Sequence, residues 1–145
     1  MSPDSAWVRW PLDSVAIRLP PEFKPATARL AERRRWQSPD STAIELWFSE
    51  KPVLAVGGSS VAQFGGEAAC RLTIGGRAPA IVVRYWVLYT GHPDTMYNAA
   101  TTALISPGYA VDVAVNARSR AVRQRLLGAL ADLEMPAPPT RATGQ

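Results

Sequence analysis

Between its prolines and glycines this chain places most of its apolar residues at alternate positions, and the period changes to a helical one near residue 119. Period two sends alternate side chains to opposite faces of a strand, so most of the chain has to fold as sheet. Thirteen prolines and ten glycines cut that pattern into short pieces, which suits hairpins joined by turns. At 145 residues, 47% hydrophobic and 19% charged, the chain has the size of one domain and enough apolar surface to build a core. The expected fold class is α+β: an antiparallel β-sheet of about six or seven strands with a C-terminal amphipathic helix packed on one face.

The first strand is expected where Val15, Ile17 and Leu19 alternate with Ala16 and Arg18, and Pro20-Pro21 stops it. Residues 32–36 lead into Ser38-Pro39-Asp40-Ser41, a turn in which proline presets φ and the short polar side chains bond the local backbone. The returning arm spans residues 42–49, with Ile44, Leu46 and Phe48 on one face and Glu45 and Trp47 on the other. Residues 50–66, rich in glycine and serine, read as a long surface excursion.

Cys70, Leu72 and Ile74 then alternate with Arg71 and Thr73, and Gly75-Gly76 supplies the positive φ values of a hairpin turn. The return, residues 81–89, is apolar on both faces apart from Arg84, as in a strand covered on both sides. Two more strands follow, over residues 96–105 and 109–116. After Ser119, a candidate N-cap, Val122, Leu126, Leu127, Leu130 and Leu133 form one helical stripe, with Arg123, Gln124 and Asp132 off it and Pro136 as the stop. The expected organisation is an N-terminal arm (1–13), one α+β domain (14–135) and a disordered tail (136–145).

No run reaches the roughly 18 apolar residues of a membrane span, because residues 78–88 are interrupted by Pro79 and Arg84. The first nine residues lack the basic segment and apolar core of a secretory signal. The expected compartment is cytoplasmic if this N-terminus is native, and periplasmic or otherwise extracytoplasmic if a signal has been removed. A single cysteine makes no internal disulfide and no cysteine zinc site. The net charge of +4 comes from basic residues that are arginine apart from Lys24 and Lys51. It points to an anionic partner only where those charges share a face.

The order of elements resembles the PsbP-like fold, shared by extrinsic photosystem II subunits, Ran-binding Mog proteins and many small bacterial proteins. The resemblance is carried by Ile17-Arg18-Leu19-Pro20-Pro21-Glu22-Phe23, the hairpin over residues 36–48, residues 70–76 leading into a long central strand, and the strand over 109–116 running into the helix. It departs after Phe23, where the chain reads as strand rather than as a covering helix. The resemblance implies a non-catalytic accessory or binding subunit docking on a larger protein assembly, membrane-associated ones included.

Chemistry-bearing residues are sparse. His92 is the only histidine and shares a turn with Asp94; the pair is the basis for a small-enzyme alternative, but no further His or Cys stands at metal-ligand spacing. Cys70 shares a strand face with Leu72 and Ile74, the position of a small buried hydrophobe rather than of a nucleophile. Gly57-Gly58-Ser59-Ser60 lacks the lysine and spacing of a phosphate loop, and G-x-S-x-G is absent. No catalytic, cofactor or metal site is therefore expected.

The candidate partner-binding residues are Trp7 and Trp10 in the proline-flanked arm, Arg33 and Arg35 beside Trp36, and Arg118, Arg120, Arg123 and Arg125 at the start of the helix. Strand alternation sends Arg34 to the other face. Arginines at a helix N-terminus oppose its macrodipole, which an anionic partner would offset. An anion- or nucleic-acid-binding domain using this arginine cluster is thus the first alternative, ahead of the small enzyme at His92 and Asp94.

Overall fold

A computed structural model of the chain describes residues 6–28, 30, 32–49, 61–91, 93–106 and 108–136. Among them are ten strands, β1 (Val8–Leu12), β2 (Val15–Leu19), β3 (Lys24–Ala26), β4 (Arg34–Gln37), β5 (Ala43–Ser49), β6 (Val61–Gly66), β7 (Cys70–Ile74), β8 (Ala78–Tyr89), β9 (Thr95–Ser106) and β10 (Tyr109–Ala117), and one helix, α1 (Arg120–Ala131). β1 and β2 form a small hairpin; the other eight form one sheet in the order β3-β4-β5-β10-β9-β8-β6, with β7 also on β8. Every pairing is antiparallel. The fold is α+β, as the period-two pattern and its change to a helical period require.

The turn at Ser38 forms as its composition predicts. Ser41 N–H donates to Ser38 O (3.0 Å), Thr42 N–H donates to Asp40 Oδ1 (3.0 Å), and Ser38 Oγ donates to the Asp40 carboxylate. The Ser38 hydroxyl holds the Asp40 carboxyl below its usual range. Gly75 and Gly76 both take positive φ in the β7–β8 turn.

Residues 61–66, expected within an excursion, are instead strand β6. β6 pairs with the far half of β8 and β7 with the near half, so the two act as one arm of a long hairpin interrupted at residues 67–69. Glu67 N–H donates to Arg84 O (2.9 Å) and carries the ladder into the interruption. The remainder of that expected excursion, residues 50–60, lies outside the described residues, as does the expected tail from 137 onward.

The core lies on one face of the sheet, hereafter the inner face. Ile44 and Leu46 of β5, Val111, Val113 and Val115 of β10, Ala99 and Ala103 of β9 and Val82 of β8 meet Leu126, Leu127 and Leu130 of α1. Ile17, Leu19, Phe23 and Trp36 close the same core beside the β1–β2 hairpin. Cys70 packs half-buried at its margin. The helix ends at Ala131, short of the expected stop at Pro136. Beyond it the chain runs extended, and Glu134 exchanges two backbone hydrogen bonds with Ala16 (2.8 and 3.0 Å). That pairing satisfies β2's second edge, which a longer helix would leave open.

Candidate functional site

The structure distributes the predicted arginines over both sides of the sheet. Arg33 and Arg35 lie on the outer face, opposite the helix, where both reach Glu45 (3.3 and 2.6 Å). Arg33 also stacks 3.9 Å from the centre of the Trp47 ring. The four remaining arginines belong to the helix layer. Arg118 pairs with Asp94 (3.2 Å), and Arg125 pairs with Glu22 (3.0 Å) while lying over Trp7. Arg120 and Arg123 converge on Glu67 (3.0 and 2.8 Å) above the Tyr97 ring.

Arg123 is a correction to the sequence reading, which placed it off the apolar stripe. It is 3% exposed and ties the helix to the sheet by donating to Glu67 and to Asn98 O (3.3 Å). A buried guanidinium is tolerated only when its charge and donors are matched. The Arg123 guanidinium in turn draws the Glu67 carboxyl down to about 2, with Arg120 adding to the effect and partial burial opposing it. Glu67 also answers the macrodipole problem inside the chain. The first turn of α1 has no acidic residue of its own; Ser119 Oγ accepts from Val122 N–H (3.1 Å), and Glu67 supplies the negative charge at the arginines.

Trp7 is likewise placed inside. It is 7% exposed and belongs to the core, and Trp10 is partly buried with its ring 6.3 Å from that of Trp36. Neither indole is an exposed anchor, because the arm that carries them folds back as β1 against β2.

Asp94 faces Arg118, and His92 lies outside the described residues. No group of three or more His, Cys, Asp or Glu among the described residues is arranged to hold a metal ion. Among the described residues, the buried carboxylate on the outer face is Asp112, 1% exposed, which accepts hydrogen bonds from Ser49 Oγ (2.6 Å) and Thr102 Oγ1 (2.5 Å). It fastens β10 to both neighbouring strands.

The outer face also holds what the sequence reading missed. Cross-strand partners share a face, so the registers put Phe64, Ile81 and Leu104 together on the side away from the helix. They are 60%, 56% and 58% exposed. Ile81 and Leu104 wall an open groove of about 650 Å³ with Arg77, Pro79 and Thr102. A smaller depression of about 280 Å³ lies on the other side of Pro79 and Ile81, against Arg71 and Thr73 of β7. The expectation of a strand covered on both faces concealed this: the near half of β8 has the composition of a covered strand and no cover at Ile81.

No protein-family model matches the chain, and no curated protein is similar to it in sequence. Among the described residues, no helix is long and apolar enough to cross a membrane.

Proposed function

We propose that this protein is a non-catalytic binding subunit that docks on a larger protein assembly through the outer face of its sheet. The observation that carries this reading is that Ile81 and Leu104 stand side by side and more than half exposed on the outer face, with Phe64 exposed on the same face farther along β8. Exposed apolar clusters of this kind in folded proteins mark interaction surfaces far more often than isolated residues do. The PsbP-like order of elements supports the same role, since accessory docking is what that resemblance implies. The six candidate arginines support the anion-binding alternative less, because each already faces a carboxylate of its own chain.

The test is the size of the protein in gently lysed native host cells, read by gel filtration and immunoblotting. The wild-type chain is expected in a high-mass fraction, and Leu104→Asp, at an exposed site, is expected to release it as a folded monomer. A wild-type chain that elutes alone, or a Leu104→Asp chain that stays in the complex, overturns the reading.

A further inference from the structure

The basic side chains beside Ile81 and Leu104 differ from most of the others in one respect. Among the described residues, Arg9, Arg18, Arg33, Arg35, Arg118, Arg120, Arg123 and Arg125 each lie within ion-pair distance of a carboxylate. Arg84 donates twice to Ala68 O (2.6 and 2.9 Å). Lys24, Arg34, Arg71 and Arg77 make no such pair, and of these Arg71 and Arg77 line the apolar depressions on either side of Pro79 and Ile81. Arg71 stands directly across the β7–β8 ladder from Ile81, and Thr73 across from Pro79. Two unneutralised guanidinium groups therefore border the exposed aliphatic ridge.

From this we infer that the segment bound at the outer face is an extended, acidic stretch of a protein partner, with carboxylates at Arg71 and Arg77 and apolar side chains on Pro79, Ile81 and Leu104. The inference rests on the docking role proposed above and adds the chemistry of what docks. An extended strand projects alternate side chains about 7 Å apart, the spacing of Pro79 and Ile81 on the floor beneath it. Guanidinium groups bind carboxylates in a planar fork and gain strength beside apolar surface that excludes water. The ridge carries no aromatic ring on which bases could stack. Two cations also fall short of the polybasic cluster that anionic lipid surfaces require.

The test uses the full chain and a fluorescent peptide of about twelve residues alternating leucine with glutamate, long enough to span the groove. Controls are the same peptide with lysine at the glutamate positions, and phosphatidylserine vesicles. The leucine–glutamate peptide is expected to bind in anisotropy titrations and to weaken as ionic strength rises. The double variant Arg71→Ser, Arg77→Ser is expected to bind it at least roughly tenfold more weakly, with circular dichroism confirming the fold. Ile81→Asp is expected to lose binding as well. Equal binding of the two peptides, no binding, binding unchanged in the arginine variant, or preference for the vesicles overturns the inference. If the peptide fails while Leu104→Asp still releases the native complex, the acidic strand is wrong and the docking role stands. If Leu104→Asp leaves that complex intact, the docking role falls first.

Discussion

Arg123 and Glu67 occupy adjoining positions although 56 residues separate them. With Arg123 almost fully buried, removing its partner leaves an unmatched charge in the interior, which typically costs several kcal/mol. Glu67→Gln is expected to destabilise the fold by about 3 kcal/mol in urea unfolding, more than any loss at the exposed Arg9–Glu134 pair. The same pair gives the protein a pH signature. The Glu67 carboxyl titrates lower in the folded chain than in the unfolded one, so its stabilisation is complete above the unfolded value near 4.5 and disappears as pH falls through about 2. Thermal melts between those limits should show the wild type losing on the order of 2 kcal/mol, discounted for partial exposure, and Glu67→Gln should lack that component. Gly75 is a second single-residue constraint. Its φ of +63° is combined with a Cβ position 2.3 Å from Met135 Cγ and 2.8 Å from Leu133 O. Gly75→Ala is expected to cost roughly 2 kcal/mol from strain and the clash together, measured by urea denaturation.

The helix illustrates how an element can be read in part from its own residues. Ser119 caps it, and the Leu126, Leu127, Leu130 stripe lies on the core, both as the sequence pattern predicts. Ser119→Ala is expected to cost about 1 kcal/mol and Leu130→Ala about 3 kcal/mol in equilibrium unfolding, the second more because it opens a cavity. The end of the helix was not legible, because Glu134 leaves the helical path to pair with a strand far away in sequence. Strand β6 was hidden for a related reason. Glycine normally reads as loop, yet Gly65 is required inside this strand because the Trp86 indole lies where a side chain would stand, 2.4 Å from a Cβ built there. The interruption at residues 67–69 then turns Glu67 toward the helix. Nothing in local periodicity announces that turn.

At the scale of the whole molecule, the sheet order sets β5 beside β10, joining residues 43–49 to residues 110–116 at the centre of the sheet. Such long-range pairing makes ordering slow, since loop-closure entropy is lost before the contacts compensate it. Stopped-flow refolding followed by tryptophan fluorescence is expected to give a main phase of roughly milliseconds to seconds. A microsecond phase of full amplitude would contradict the dominance of β5–β10 pairing. The sequence by itself determined the periods of the strands, the turns at Ser38 and Gly75, the capped helix and hence the α+β class, because each depends on side chains within a few residues of one another. Only the tertiary structure decided that Trp7 is core, that Arg123 is matched from within, and that Ile81 and Leu104 stand exposed side by side on the outer face. Those outcomes depend on which strands become neighbours, and a strand's own alternation states that it has two faces without stating what covers each of them.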